Sequence, residues 1–310
     1  MNVLTKTAPK IAVLLAAYNG VSFLDEQVKS ILGQLNVDVT LFVSVDASSD
    51  GTETWFDALG LAHANVIVLP HGQVFGGAAK NFFRLLNDVD LSPFDYMAFA
   101  DQDDLWFPDK LERAHQVMLT SGADAYSCNI IAFWPSGRRL LIEKSQPQQR
   151  WDFLFEAAGP GCTYVIKTGL ALALQKVGRE RKDEVAKVAL HDWFSYAFAR
   201  ANNYLWVIDD HVGMLYRQHE VNQVGANAGM AAFVHRAKKV LSGWGLEQSA
   251  LIAHIVNLND DPFVRRWLVR GGRGFFWLMM HARHCRRRPR DSVFFALSCM
   301  LLGINGIFRR

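Results

Sequence analysis

Tyr96-Met97-Ala98-Phe99-Ala100-Asp101-Gln102-Asp103-Asp104-Leu105-Trp106-Phe107-Pro108 is an apolar run of strand length that stops at three carboxylates, with a proline beyond them to open a helix. In an open α/β sheet, ligands collect in the crevice outside the carboxyl ends of the strands. Three acids at such an end repel one another unless a cation compensates. Asp101 and Asp103, one residue apart, suit a hard divalent cation that also grips phosphate oxygens. Asp104 reads as a turn or cap residue for the helix that follows. The expectation is a metal–diphosphate site, with Asp103 as the first ligand and Asp101 as the second.

Working outward, Ile11 to Ala17 is a second apolar run, ended by the turn signal Tyr18-Asn19-Gly20. Leu24, Val28, Ile31, Leu32 and Leu35 then recur at helical spacing. Val39 to Val45 and Val66 to Leu69 read as strands, and Gly76-Gly77 leads into a helix through Lys80, Phe83 and Leu86. Beyond Pro108, Leu111, Ala114, Val117 and Met118 form one helix face, with proline in the first turn where it is tolerated. Alternation in Ala123–Phe133 and Cys162–Ile166 predicts further strands, a helix begins near His191, and Leu205–Ile208 and Val212–Tyr216 read as late strands. Strands alternating with helices predict an α/β protein with a largely parallel, layered sheet.

The chain has 310 residues, half of them hydrophobic, enough for a sizeable core and incompatible with global disorder. The cysteines, Cys128, Cys162, Cys285 and Cys299, show no paired metal spacing and no disulfide framework, and fit a reducing cytoplasm. Met1 to Lys10 lacks the apolar core of a signal peptide. A net charge of +3 conceals an asymmetry: from Pro262 onward eleven arginines face one acid, Asp291, a net of +10 that leaves −7 for residues 1–261. A basic tail on an acidic body points to a polyanionic surface, membrane or nucleic acid. From about Ala226 the sequence is helix-like, arginine-rich and aromatic. Its last apolar run, Val293 to Phe308, is shorter than the roughly 20 residues that span a bilayer and predicts an interfacial or re-entrant helix. The division expected is a catalytic domain at 1–225 and a helical, membrane-associating tail at 226–310.

Several residues offer chemistry at the predicted strand ends. Tyr18, after Ala17, presents a ring to a nucleobase, although such an aromatic taken alone is more often a core edge. No G-x-G-x-x-G accompanies it, which disfavours a dinucleotide fold. Asp46 offers an acceptor to a base imide N–H, whereas Asp50 is better explained by an Asx turn or helix cap. Lys80, just after a glycine pair, is a diphosphate contact of low specificity. Asp192 in His191-Asp192 reads both as an N-cap and as a carboxylate whose backbone setting favours the anion. In Tyr216-Arg217-Gln218-His219, Arg217 suits phosphate and His219 suits a metal as a neutral imidazole.

Taken together these stretches resemble the family 2 glycosyltransferases. The matching pieces are Leu15-Ala16-Ala17-Tyr18-Asn19-Gly20, Asp46-Ala47-Ser48-Ser49-Asp50-Gly51-Thr52, Ala100-Asp101-Gln102-Asp103-Asp104-Leu105-Trp106 with Pro108-Asp109-Lys110-Leu111, Gly161-Cys162-Thr163, His191-Asp192-Trp193 and Tyr216-Arg217-Gln218-His219. The run from Gly76 to Phe83 and the late Tyr-Arg-Gln-His look most like the rhamnosyltransferase-type branch that builds bacterial surface polysaccharides. The resemblance implies the GT-A fold: a Rossmann-like nucleotide-sugar-binding domain with a mixed, mainly parallel sheet, here with C-terminal basic amphipathic helices. It further implies that Ala17, Tyr18, Asp46, Lys80, Asp101 and Gln102 bind the donor, a dTDP- or UDP-linked sugar. Asp103, Asp101 and His219 would hold Mg²⁺ or Mn²⁺, Asp192 would be the general base, and Arg217 would face the leaving diphosphate. The family often has two acids before the serine-rich turn, whereas this chain has Val45-Asp46, so one base contact is absent. The Gln-x-x-Arg-Trp signature and multiple spans of processive members are also missing, which implies addition of one sugar at a time.

The implied reaction is inverting transfer to a lipid-linked oligosaccharide by an enzyme peripheral to the inner face of the bacterial cell membrane, with no nucleic acid as partner. Two other classes compete. A metal-dependent nucleotidyltransferase uses similar acids but needs a basic triphosphate loop after the first strand, where Tyr18-Asn19-Gly20 offers no cation. A non-catalytic nucleic-acid-binding protein explains the arginines but not the ordered carboxylates, and a salt-dependent nucleic-acid shift would support it.

Overall fold

Strands β1 (Lys10–Ala17), β2 (Asp38–Val45) and β4 (Tyr96–Ala100) are buried along almost their whole length, as strands covered on both faces by helices are. The structure is a computed structural model and describes residues 7–219, 242–268 and 272–308. The other strands are β3 (Val66–Val68), β5 (Leu105–Trp106), β6 (Ala125–Phe133), β7 (Arg139–Ile142), β8 (Val165–Lys167) and β9 (Trp206–Arg217). Among the described residues they form one mixed sheet in the order β3-β2-β1-β4-β8-β6-β9-β5, with β7 alongside β6.

The pairing decides where the chemistry collects. β3, β2, β1 and β4 are mutually parallel, with Ala17 opposite Val45 and Leu15 opposite Ala100. β8 is antiparallel to both β4 and β6, and β9 is parallel to β6, so β9 runs in the same direction as β4. The carboxyl ends of β1, β2, β4 and β9 therefore open onto one edge of the sheet. Tyr18, Asp46, Asp101 and Arg217 follow or close those strands. Helices α1 (Val21–Leu32), α2 (Thr52–Ala62), α3 (Ala78–Asp88), α4 (Lys110–Ser121) and α5 (Thr168–Glu180) accompany them. Leu24, Val28 and Ile31 of α1 are buried, but Leu35 lies beyond the helix and is exposed, because the chain leaves the helix at Gly33.

Three local readings change. Leu205–Ile208 and Val212–Tyr216 are one strand, β9, whose register against β6 shifts around Asn129 and so imitates an interruption. Gly161–Thr163 is a 3₁₀ turn, and the strand begins only at Val165. Pro108 precedes α4 rather than opening it, with Asp109 at the N-cap position.

The chain divides into two compact units. One comprises Met1–Ser145, Gly159–Lys182 and Tyr204–Asn222, and the other Gln146–Ala158, Asp183–Asn203 and Gln223–Arg310. The expected boundary at 225/226 lies outside the described residues, and the second unit also takes in two segments from before it. The short α6 (Lys182–Val185) starts at the last residue of a first-unit segment and continues in the second unit. The second unit holds α7 (His191–Ala201), α8 (Trp244–Ile255), α9 (Pro262–Leu268), α10 (Gly272–Met280), α11 (Ala282–Cys285) and α12 (Pro289–Phe308). Its polar centre is Asp152, fully buried, which accepts hydrogen bonds from Tyr196 Oη (3.0 Å), Arg200 Nη1 (3.2 Å) and Arg287 Nη1 (3.3 Å). Arg287 also donates to the Ala157 carbonyl (2.7 Å), and Arg286 to that of Phe155 (2.5 Å). Two arginines of the basic tail are thus turned inward, where their charge organises the unit. Among the described residues no helix is long and apolar enough to cross a membrane.

Candidate active site at the strand edge

After β1 the chain turns through Asn19, whose positive φ of 46° the short amide side chain tolerates. Gln102, from the loop after β4, clamps this turn. Tyr18 N–H donates to its Oε1 (2.8 Å) and its Nε2 donates to the Tyr18 carbonyl (2.9 Å). Gly20 is required beneath it, because a Cβ there would stand 2.2 Å from Gln102 Oε1. The clamp leaves the Tyr18 ring half exposed at the rim, while Ala17 is buried, its carbonyl accepting from Asp46 N–H (2.8 Å). Gln102, expected as a donor contact, is engaged in positioning Tyr18.

Asp46 is almost buried. Its Oδ1 accepts from Phe75 N–H (2.8 Å) and Ala47 N–H (3.1 Å), and its Oδ2 from Gly76 N–H (2.9 Å). The carboxylate thereby fastens the glycine loop before α3, and Lys80 stands exposed in the first turn of that helix. Asp50 makes an Asx turn, accepting from Thr52 N–H (3.0 Å) and Oγ1 (2.6 Å), and also accepts from Val21 N–H (3.0 Å), while Gly51 holds the N-cap of α2. Beneath lies a buried layer that sequence reasoning missed. Asn81 bonds to the Ser44 hydroxyl and donates to its carbonyl (3.0 Å), while Arg84 donates to the same hydroxyl (2.8 Å).

At the far side of the edge, Asp103 Oδ2 lies 2.6 Å from His219 Nε2, two residues 116 positions apart. His219 stacks on Phe23 with ring centroids 4.9 Å apart. Arg217 donates through Nε to the Asp103 carbonyl (2.7 Å) and through Nη2 to Glu26 (2.6 Å), with its guanidinium over the rings of Phe23 (5.2 Å) and Phe133 (4.8 Å). Phe23 and Glu26 had escaped notice. Their spacing of three on α1 puts them on one helix face, but nothing in the sequence ties that face to Arg217.

Asp104 takes a different part from its neighbours. It is fully buried, and its Oδ1 accepts from the Arg217 backbone N–H (3.1 Å), which fastens the end of β9 to the acidic loop. Burial first, and then the charges of Asp103 and Asp101, push its carboxyl well above the ordinary range. Lys110 lies alongside, with no exposed surface, its ammonium 2.9 Å from the Cys162 carbonyl and 3.0 Å over the Trp106 ring. Burial draws its pKa down to about 7 against the pull of the nearby thiols and of Asp104 and Asp101.

Two donor sets compete for a divalent ion. Asp101, Asp104 and Cys162 bring ligand atoms within 4.8 Å of one another. That trio does not fit Mg²⁺ or Mn²⁺: a thiol is a soft ligand, burial pushes the Cys162 thiol well up, and Asp104 resists ionisation. The Asp103–His219 pair fits. An oxygen and an imidazole nitrogen converge at the strand edge with 14% and 18% of their side chains exposed, whereas Asp101, just after β4, groups with Asp104 and Cys162. The sequence-predicted residues of this unit thus share one edge: Tyr18 and Asp46 at one side, Asp101 and Asp103 in the middle, Arg217 and His219 at the other.

Asp192 belongs to the second unit. It occupies the second position of α7, with Leu190 rather than itself at the N-cap, and accepts from Trp193 N–H (2.7 Å). The neighbouring His191 is buried and held neutral, its pKa pushed down to about 3 by desolvation. A carboxylate in the first turn is favoured as the anion by the helix dipole.

Comparison with known proteins agrees with this geometry. The sequence model described as "Glycosyl transferase family 2" matches residues 12–155, the segment that carries strands β1 to β7 and the acidic loop. The dTDP-rhamnosyl transferase RfbG of Shigella flexneri is 43% identical over 288 residues, 93% of this chain and 99% of that one. Abequosyltransferase RfbV of Salmonella typhimurium is 32% identical over 121 residues, 38% of this chain and 35% of its own. Among solved structures, S. aureus TarS 1-349 in complex with UDP-GlcNAc superposes with a TM-score of 0.53 at 14% identity, covering 95% of this chain and 89% of that one, a likeness of fold. The near-full-length identity to RfbG, on the fold and strand-edge site described above, establishes that this chain belongs to glycosyl transferase family 2 and is a glycosyltransferase of the GT-A fold.

Proposed function

We propose that this enzyme moves one rhamnose from dTDP-rhamnose to a lipid-linked oligosaccharide at the anionic cytoplasmic face of a bacterial membrane, with inversion at the anomeric carbon. The observation that carries the reading is the convergence of Asp103, His219 and Arg217 on the edge that also presents Tyr18 and Asp46. One end of that edge offers a ring and a carboxylate to a base, and the other offers cation-binding groups to a diphosphate. The choice of donor is supported by the relative whose name specifies dTDP-rhamnosyl transfer.

In this reading Tyr18 stacks on the base and Asp46 takes its imide N–H. Asp103 and His219, with Asp101 from the same acidic loop, would hold a divalent cation. Bound there, Mg²⁺ or Mn²⁺ supplies positive charge against the departing diphosphate. Arg217 adds a fixed guanidinium, and Lys80 a mobile one-point contact. Asp192 accepts the proton of the acceptor hydroxyl as that oxygen bonds to the anomeric carbon. The bond from that carbon to the diphosphate breaks, and its electron pair leaves on the diphosphate oxygen. A positioned base contributes about 10²–10⁴ in rate.

The test is transfer from dTDP-rhamnose, compared with UDP- and GDP-linked sugars, to a lipid-linked oligosaccharide extract. Asp192→Asn is the companion variant. Transfer only from the dTDP donor, and a fall in kcat within that range for the folded variant, support the proposal. Preference for another donor removes the rhamnose assignment, and near wild-type turnover by Asp192→Asn removes the base.

A further inference from the structure

We propose that the outer face of α12 lies in the plane of an anionic bilayer surface, held by an apolar stripe rather than by the arginine count of the tail. This deepens the lipid-linked acceptor reading above and rests on it for the choice of a membrane as partner. The inner side of α12 is occupied: Gly303 is pressed against Phe276 and the Gly272 carbonyl of α10, Phe295 packs on Phe155, and Ser292 and Cys299 are buried. Its outer side is Val293 (61% exposed), Phe294 (55%), Leu297 (48%), Leu301 (44%) and Ile304 (38%). At 100° per residue these five fall within an arc of about 100°. The solvent side of an amphipathic helix is normally polar, and here it is the side that carries large apolar groups.

The length and the surrounding charge identify the occupant. Eleven rises between Val293 and Ile304 make a stripe about 16 Å long, against about 30 Å of bilayer hydrocarbon, so the helix suits an in-plane position and not a crossing. Arg290 stands on the same arc one turn before Phe294, and Arg283 and Arg273 on α11 and α10 are also exposed. Anionic headgroups complement that excess, whereas a second copy would bring its own arginines against it. Arg286 and Arg287 are bonded inside the unit, so they do not serve as membrane contacts. The stripe inserts and the exposed arginines select the lipid.

Vesicle flotation with phosphatidylcholine alone and with added phosphatidylglycerol tests this, using the full chain and the variant Phe294→Gln/Leu297→Gln/Leu301→Gln. The wild type is expected to float with the anionic vesicles and to remain partly bound at high salt, because insertion of apolar side chains is not screened. The variant is expected to lose about tenfold or more of its partitioning while keeping its circular dichroism and its turnover on a water-soluble acceptor fragment. Should the triple variant misfold, Leu297→Glu alone carries the comparison. Equal flotation of variant and wild type, no flotation of either, or a wild-type dimer that the variant turns into a monomer would each overturn the proposal. Anionic flotation as expected, but no transfer by the wild type to the soluble fragment, would count against the catalytic reading and leave this proposal standing.

Discussion

Lys110→Met gives the sharpest test of how the floor of the acidic loop is built. Lys110 is fully buried and its pKa falls from 10.5 to about 7, chiefly through desolvation. In the unfolded chain a lysine keeps its ordinary value, about 10.4. Between these two values the unfolded chain binds a proton that the folded chain lacks, so stability rises with pH across this window. The depressed folded value costs about 4 kcal/mol at pH 7, where the charge must be either buried or given up. The cost shrinks to about 2 kcal/mol at pH 9 and vanishes above the unfolded value. Methionine fills similar volume without a charge but leaves the Cys162 carbonyl without its donor, a loss of about 1–3 kcal/mol. The variant is therefore expected to be more stable than wild type near pH 7 by about 1–3 kcal/mol, and close to equal near pH 9. Urea unfolding followed by tryptophan fluorescence from pH 6.5 to pH 9, in about half-unit steps, measures the difference. Subtracting the two proteins removes the contributions of groups remote from Lys110, whereas Cys128 and Cys162, which interact with it, belong to the measured difference. A difference that stays flat with pH, or that grows, refutes the account of Lys110 as a buried lysine titrating near neutrality.

Asp103→Ala or His219→Ala should lower Mn²⁺-dependent dTDP affinity by more than about tenfold in calorimetry, a loss that even a supporting partner of a ligand can bring. Asp104→Asn should leave that affinity nearly unchanged, since an amide oxygen still accepts from Arg217 N–H; the opposite ranking would move the ion to the Asp101–Asp104–Cys162 trio. Gly20→Ala should drive Gln102 off the Tyr18 peptide, costing about 2 kcal/mol for two hydrogen bonds and raising the donor KM more than it lowers kcat. Asp152→Ala should destabilise the second unit by about 3–5 kcal/mol, because Arg287 and Arg200 would remain as buried or part-buried charges without their partner. Thermal unfolding of that variant within about a degree of wild type would contradict the network.

The sequence by itself determined the α/β class, the strands Tyr96–Ala100 and Lys10–Ala17 to within a residue, and the edge on which Tyr18, Asp46 and Asp101 meet. Strand runs and turn signals are local, and parallel pairing sends the carboxyl ends of β1, β2 and β4 the same way, whereas the arrival of Arg217 rests on the pairing of β9 with β6. Asp104 reads from sequence as a turn or cap for the next helix, whereas the structure sets Asp109 at that N-cap and has Asp104 hold the end of β9 through the Arg217 N–H. Tertiary structure alone decided the partnerships. His219 reaches Asp103 across 116 positions and Arg217 reaches Glu26 across 191, distances over which no periodicity in the sequence carries information. It also decided that Leu205–Ile208 and Val212–Tyr216 are one strand, since a register shift and a strand end look alike without the neighbouring strand. An arginine has the same charge in sequence whether it is bonded to a buried Asp152 or bathed in water, so the tail's excess did not reveal that Arg286 and Arg287 turn inward. The apolar run of α12 likewise does not say which of its sides is covered, because that depends on where Phe276 and Phe155 come to rest.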